Sequence, residues 1–248
     1  MSKHLKPIWL IAFLTLCFCN MGFTQVQSVT LATSKSIPPY IIKEQQSGIQ
    51  LDIIKQAFSN AGYQVNQLIF TSNLRAERML KQNAVDAIVN APNNGSYAYL
   101  SEPVIFYQNI AISLSARQLS IGSIEDLTKF RLMAFQNAKK YLGDRFSQAA
   151  EQAKFYTEVS NQSAQLERLY RGQVDVIILD KRIFHYLNQK RIAQKSPTAP
   201  VTKHLIFPES PRLLGFHDPA LRDKFNAGLK QLNDKDIKHS ASYNWLNQ

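Results

Sequence analysis

One unit of sequence occurs twice in this chain and constrains its fold more than any other feature. Residues 77–89 and 167–178 each run from a helix-like segment through a tight connection into a Val-Asp step and a hydrophobic stretch. A helix that leads through a short turn into a buried strand is typical of parallel α/β sheets. The two copies are too few and too far apart for a solenoid. They predict two similar α/β lobes, with chance similarity of a common unit as the alternative.

The segments around the two copies alternate between strand and helix patterns, which also favours an α/β fold. A helical spacing of apolar residues lies between Gly48 and Gly62, and two prolines at 38–39 force extended backbone before it. The remaining predicted strands are 29–33, 63–70, 132–135 and 213–216, and the remaining predicted helices are 75–82, 139–153, 184–190 and 221–232.

The N-terminus has the layout of a secretory signal peptide. Lys3 and Lys6 precede an apolar run over 8–18, and Gly22 and Thr24 supply small residues before a cleavage position. The run is about half the roughly 20 residues that a spanning helix needs, so a retained membrane anchor is the weaker alternative. We therefore expect residues 1–24 to be a signal peptide and the mature protein to be periplasmic.

Composition excludes several classes of protein. Cys17 and Cys19 are the only cysteines, and both lie in the predicted signal peptide, so a disulfide scaffold or a cysteine-based zinc site is excluded for the rest. The formal charge is +11, but the basic residues are scattered, which argues against a nucleic-acid partner. The histidines show no metal-binding spacing. We expect neither a metal nor a cofactor.

Four segments in order resemble the family 3 extracellular solute-binding proteins, periplasmic receptors that usually serve ABC importers of polar amino acids. They are the glycine–hydrophobic–acidic start of a helix at 48–53, the pair 85–88 and 100–103, the pair 123–127 and 174–180, and the segment 218–226. No single motif is specific, but their order behind a signal peptide supports the resemblance, which extends from about Val29 to Leu246.

The resemblance implies a two-lobed periplasmic-binding-protein-like fold of type II. The first lobe is discontinuous, 26–112 plus 211–248, and the second is 114–207, with two hinge crossovers between them. A small polar ligand then lies in the cleft and is trapped by hinge closure. The resemblance further implies a monomer that docks on an ABC permease or, alternatively, on a membrane signalling receptor.

The resemblance also suggests how a zwitterion is held, with one charge compensated in each lobe. Asp180 stands at the amine-binding position, although it is equally suited to cap the next helix. The carboxylate-binding arginine is replaced by Asn94, which offers no charge. Arg75 is a candidate substitute because a guanidinium forks onto oxygen pairs, but an exposed surface arginine is the alternative.

Four further residues complete the predicted ligand site. Tyr40 follows two prolines and stands where the family often places a stacking aromatic, with core packing as the alternative. Asn90 follows a predicted buried strand and is either a ligand contact or a plain turn residue. Tyr107 and Gln136 are lower-ranked candidates for the cleft.

We expect no enzyme activity because the chain contains no nucleophile elbow, P-loop or dinucleotide fingerprint. Some proteins of the same fold are periplasmic dehydratases, which need an acid in the cleft. Glu102 and Asp180 are the only candidates for that acid, so a dehydratase-like enzyme is the less favoured alternative.

Overall fold

The computed structural model describes residues 27–34, 36–92 and 98–232, which form two β-sheets with helices packed on them. The predicted signal peptide and Asn94 lie outside these residues. The strands are β1 (Gln27–Thr33), β2 (Tyr63–Phe70), β3 (Ala87–Val89), β4 (Tyr99–Leu100), β5 (Ile105–Leu114), β6 (Arg131–Phe135), β7 (Phe155–Val159), β8 (Val176–Asp180), β9 (Val201–His204), β10 (Glu209–Arg212) and β11 (Leu214–Phe216). The helices are α1 (Ile49–Asn60), α2 (Asn73–Lys81), α3 (Ala138–Leu142), α4 (Asp144–Gln152), α5 (Ser163–Tyr170), α6 (Lys181–Ala193) and α7 (Pro219–Lys230).

The first lobe is built on a five-stranded sheet in the order β2-β1-β3-β11-β4. β1 runs parallel to β2 and β3, whereas β11 runs antiparallel to β3 and β4. Because β11 returns from a late part of the chain, this lobe is discontinuous in sequence. α1 packs against α7, which follows β11, and this contact ties the returning segment to the first part of the lobe.

The second lobe is built on a sheet in the order β10-β5-β8-β6-β7, with β9 also paired to β5. β6 is parallel to β7 and β8, and β5 is antiparallel to β8, β9 and β10. β8 is buried along its whole length because both of its faces are covered. Ile177 and Leu179 lie in a core cluster with α5 and α6, whereas Val176 and Ile178 lie in a second cluster with α4. Its all-apolar sequence before Asp180 is the pattern that a doubly covered parallel strand requires.

β5 and β10 are the two crossovers between the lobes. They pair antiparallel over 105–108 and 209–212, and β5 then continues into the second sheet, where it pairs with β8 from Asn109 to Ser113. The lobes are thus joined by two adjacent strands, as expected for a hinge. The predicted lobe boundaries stay a prediction, since β5 runs without interruption through the boundary at 112–114.

The two copies of the repeat have the same local structure, and their Val-Asp steps explain why. Asp86 accepts a hydrogen bond from the backbone N–H of Thr30 and donates its own N–H to the carbonyl of Thr30. Asp175 makes the same pair of bonds with Arg131. Each aspartate therefore joins the start of a buried strand to the neighbouring parallel strand of its sheet.

Two predicted elements differ from the observed ones. The helix predicted over 139–153 is wrong: α3 and α4 are separate helices, because Gly143 has a φ of +85°, which ends one helix and starts the next. The helix predicted over 184–190 is longer and starts at Lys181, because Asp180 caps its N-terminus. Within the described residues, no helix is both long and apolar enough to cross a membrane.

Candidate functional site

The position of Tyr40 is set by the start of α1. The backbone N–H groups of Ile49 and Gln50 donate to the carbonyls of Pro39 and Tyr40, at 3.0 and 3.1 Å. Gly48 precedes them with a φ of +130°, and a Cβ there would lie 2.5 Å from the carbonyl oxygen of Tyr40. Glycine is needed both for this backbone conformation and for the close approach. The glycine that opens the 48–53 motif therefore fixes the loop that carries Tyr40.

Tyr40 joins the two lobes through Asp180. Its hydroxyl donates to Oδ1 of Asp180 at 2.7 Å, and the two side chains are 0% and 3% exposed. Burial, with the nearby Asp180 carboxylate as the next cause, raises the pKa of Tyr40 far above its ordinary value. The hydroxyl therefore stays protonated and is a permanent donor to the carboxylate.

Asp180 accepts three further hydrogen bonds, all from backbone N–H groups. Arg182 and Ile183 donate to Oδ1 at 2.8 and 3.2 Å, which is the helix-capping role, and Gln108 on β5 donates to Oδ2 at 2.8 Å. An ionised carboxylate offers about four acceptor positions. With Tyr40 included, three of the donors found in the described residues bond to Oδ1 and one bonds to Oδ2, so Oδ2 keeps an acceptor position open.

Tyr107 stacks on Tyr40 and continues the network into the first lobe. The two rings are 3.9 Å apart between centroids, with an interplanar angle of 20°. The hydroxyl of Tyr107 donates to Oε1 of Gln50 at 2.9 Å, and Nε2 of Gln50 donates to Oδ1 of Asn90 at 2.8 Å. Asn90 directly follows β3 and has a φ of +59°. Tyr40, Asn90, Tyr107 and Asp180 are thus brought together as one cluster.

Gln50 belongs to the cluster but was not predicted as a site residue, although one feature of the sequence points to it. It is a polar residue on the apolar face of α1 and is fully buried. A buried amide needs partners, and Gln50 finds them in Tyr107 and Asn90.

Two arginines beside the cluster were also missed. Nη1 of Arg182 donates to the carbonyl of Phe106 at 3.0 Å and lies 3.5 Å from the hydroxyl of Tyr40. The guanidinium of Arg212, on β10, lies 4.3 Å from the ring centroid of Tyr107. Because Tyr40 covers one face of that ring at a similar distance, Arg212 must lie on the opposite face. In the sequence, Arg182 is marked only by its closeness to Asp180. Arg212 is marked only by its position at the predicted crossover near residue 211.

Two predicted site residues do not join this cluster. Arg75 is exposed in the first turn of α2, where its backbone N–H is capped by Ser72. Its guanidinium makes no hydrogen bond or ion pair with any residue in the described ranges. Gln136 is exposed at the end of β6. Asn94 lies outside the described residues.

The loop after β6 binds a carboxylate of the protein itself. The N–H groups of Asn137 and Lys139 donate to the two oxygens of Glu158, at 2.6 and 3.1 Å. Partial burial raises the pKa of Glu158, but hydrogen bonds from Tyr156, Lys139 and Asn137 outweigh it and leave the pKa below its ordinary value. The N–H groups of Asn137 and Lys139 are thus engaged by a carboxylate of the second lobe itself.

The two acids considered for catalysis are not arranged as a pair. Glu102 is exposed on the first lobe, beside an open hollow of about 540 Å³ that is also lined by Arg222 and Asn226. Asp180 accepts hydrogen bonds from Tyr40 and from three backbone N–H groups and lies at the hinge, not beside Glu102. Within the described ranges, no group of three His, Cys, Asp or Glu side chains is arranged to hold a metal ion.

Comparison with known proteins gives the fold. No family model matches the sequence, and the search of curated proteins gave no match. Among solved structures, a polar amino acid ABC uptake transporter substrate-binding protein from Streptococcus thermophilus is 18% identical with a TM-score of 0.63, covering 90% of this chain and 87% of its own. An ancestral arginine-binding protein bound to glutamine is 18% identical with a TM-score of 0.61, covering 87% and 98%.

The Bordetella pertussis BvgS VFT2 domain, a double mutant, is 15% identical with a TM-score of 0.64, covering 85% of this chain and 90% of its own. These likenesses extend over nearly the whole of the described chain and agree with its two sheets and two crossover strands. The chain therefore has the two-lobed α/β fold of the periplasmic solute-binding proteins.

Proposed function

We propose that this protein is an exported solute-binding receptor that captures a small polar solute between its lobes by hinge closure. The solute is then passed to a membrane partner, for which an ABC permease is the first candidate. We expect the mature protein to act in the periplasm as a monomer, without a cofactor and without enzyme activity. The fold and its structural neighbours, which include a polar amino acid uptake protein and a protein bound to glutamine, support this proposal.

The observation that carries the proposal is the meeting of polar side chains from both lobes beside the hinge. Tyr40 follows β1 in the first lobe, Asp180 ends β8 in the second, and their hydrogen bond lies next to the paired crossovers. In open α/β sheets, ligands bind at the carboxyl ends of the strands, where both residues are found. Hinge opening would separate the two side chains, and hinge closure would bring them together.

We propose Tyr40, Asn90, Tyr107 and Asp180 as contacts for the solute when the lobes open. Arg75, Asn94 and Gln136 are proposed as additional contacts. Arg75 supports this role by following β2, whose carboxyl end lies at the same sheet edge as those of β1 and β3. An exposed guanidinium there is free to meet a ligand oxyanion.

A ligand-sensing role is the alternative, in which the closed protein docks on a membrane signalling receptor. The structural similarity to the BvgS VFT2 domain is the observation that supports this alternative role. Both roles need solute capture, and they differ in the partner. Crosslinking of the liganded protein to membrane proteins in intact cells, followed by identification of the crosslinked partner, distinguishes a permease from a signalling receptor.

The proposal is tested by mass spectrometry of small molecules released from purified mature protein, followed by thermal unfolding with each candidate. A solute at about 100 times its Kd should stabilise the protein by roughly 2.7 kcal/mol. Small-angle scattering should show an open form when the solute is removed and a more compact form when it is restored. Equal dimensions in both conditions would rule out capture by hinge closure.

A further inference from the structure

Three cationic side chains converge on the four-residue crossover 105–108 of β5. Nζ of Lys181 donates to Oε1 of Gln108 at 2.8 Å. Nη1 of Arg182 donates to the carbonyl of Phe106, and the guanidinium of Arg212 lies on the ring of Tyr107. Lys181 and Arg182 come from the start of α6, whereas Arg212 comes from the second crossover. We name Lys181, Arg182 and Arg212 the hinge cations.

No acid neutralises the hinge cations directly. Within the described part of the chain, none of the three forms an ion pair with a carboxylate. Glu209 lies opposite Gln108 in the β5–β10 pair, but it is exposed and likewise forms no ion pair there. Asp180 is close, but it forms no ion pair with them in the described ranges, and it already accepts hydrogen bonds from the hydroxyl of Tyr40 and three backbone N–H groups.

The two arginines also carry unused hydrogen-bond donors. Nε of Arg182 and Nε of Arg212 are both buried, and neither has a partner in the described ranges. A buried N–H without an acceptor is costly, and more so on a charged group. Such donors in a native structure require an explanation, and an anion that binds during function is one. A carboxylate suits a guanidinium because its two oxygens match the planar fork of N–H groups.

An ammonium group has a less favourable place. Its natural partner here is Asp180, whose Oδ1 already accepts three hydrogen bonds, so an ammonium could bind only at Oδ2, beside the N–H of Gln108. The aromatic faces of Tyr40 and Tyr107 are turned towards each other, and the free face of Tyr107 already holds the guanidinium of Arg212. A cation that approached this cluster would also meet the hinge cations, which repel it.

From this arrangement we infer that the hinge cations select a small organic carboxylate that lacks an ammonium group, bound by Arg182 and Arg212 as the lobes close. This inference rests on the proposed function and names its substrate class. The carboxylate supplies acceptors for the two buried Nε–H groups and leaves the Tyr40–Asp180 hydrogen bond intact. It therefore adds to the contacts that already close the lobes, whereas the ammonium group of an amino acid would be repelled by the hinge cations.

The test uses matched probes in calorimetry and thermal unfolding of the full mature chain. The panel contains succinate, glutarate and benzoate, the amino acids L-aspartate, L-glutamate and L-glutamine, and the diamine putrescine. Glutarate and L-glutamate differ only by the ammonium group, as do succinate and L-aspartate. We expect a carboxylate of the first group to bind at least tenfold more tightly than its amino acid counterpart.

The variants Arg182→Gln and Arg212→Gln should each weaken binding of that carboxylate at least tenfold. Lys190→Gln, which removes the same charge from an exposed position on α6, should not change it. Arg182→Lys and Arg212→Lys keep the charge but lose the fork, and they should bind more weakly than the wild type while melting at a similar temperature without ligand.

Tighter binding of an amino acid or of putrescine than of every carboxylate overturns the inference and leaves solute capture standing. Failure of all three carboxylates to bind also overturns it. Binding of a carboxylate that is unaffected by both arginine substitutions would show that the hinge cations are not its site. Scattering without any ligand-dependent compaction would instead count against the proposed function itself.

Discussion

The substitution Tyr40→Phe should shift the protein towards an open form. It removes one hydroxyl and keeps the ring that stacks on Tyr107. The lost bond joins a neutral donor to a carboxylate across the lobes, at 2.7 Å between buried groups. Hydrogen bonds to charged groups contribute about 1.5–3 kcal/mol. Asp180 keeps its three backbone donors, so it is not left unpaired, and we expect the lower end of that range.

A loss of about 1.5 kcal/mol changes the ratio of closed to open protein by slightly more than tenfold. The distance between the lobes reports this ratio directly. Since both cysteines lie in the predicted signal peptide, single cysteines introduced at Ser59 on α1 and Gln152 on α4 can carry a fluorophore pair. Both positions are exposed. The variant should show a clearly larger population at long distance than the wild type.

Tyr107→Phe is the matched control. It also removes a buried tyrosine hydroxyl, but the partner Gln50 is a neutral amide that belongs to the first lobe and not to the second. The distance distribution of this variant should equal that of the wild type. If Tyr40→Phe also leaves the distribution unchanged, the Tyr40–Asp180 bond does not hold the lobes together and the reasoning fails.

Two predictions concern stability. Gly228→Ala should destabilise the fold by about 1–3 kcal/mol in urea unfolding, because a Cβ there would lie 2.1 Å from the carbonyl oxygen of Ala57. Gly122→Ala is the control and should change the stability little, because no atom lies closer than 3.9 Å to its Cβ position. Hydrogen bonds from Arg131 lower the pKa of Asp175, so its contribution is fully present above an unfolded pKa of about 3.9 and is lost as pH falls through the lower folded value. The stability difference between wild type and Asp175→Asn should therefore shrink from pH 7 to pH 2.5, and an unchanged difference would contradict this assignment.

The fold was largely predictable because its signals are local. Each copy of the repeat needs a residue with positive φ between helix and strand, and Asn83 and Gly172 supply it with φ values of +54° and +67°. Asparagine and glycine are the residues that adopt this conformation most readily. The Val-Asp steps then join each strand to its parallel neighbour. Turn, strand and sheet contact are thus encoded within about a dozen residues, where pattern reading is strongest.

The site was predicted less completely because its contacts are long-range. Tyr40 and Asp180 are 140 positions apart, and nothing in either local sequence pairs them. Arg182 and Arg212 take their roles from the crossover that they approach in space, not from their own segments. Arg75, which matched a motif, lies exposed. Sequence motifs can thus locate the ends of the strands. Which side chains meet at those ends depends on tertiary contacts that the motifs do not encode.

The direction in which Tyr40→Phe changes ligand affinity distinguishes two modes of binding in this cleft. If a ligand replaces the hydroxyl of Tyr40 on Asp180, its apparent Kd includes the free energy of breaking that bond, and Tyr40→Phe should tighten binding by up to the same factor of about ten. If the ligand instead adds to the closed contact, as a carboxylate on Arg182 and Arg212 would, Tyr40→Phe should weaken binding, because fewer molecules occupy the competent form. The same variant thus has opposite effects in the two cases. The direction of the change shows whether Asp180 binds the ligand or only holds the lobes together through Tyr40.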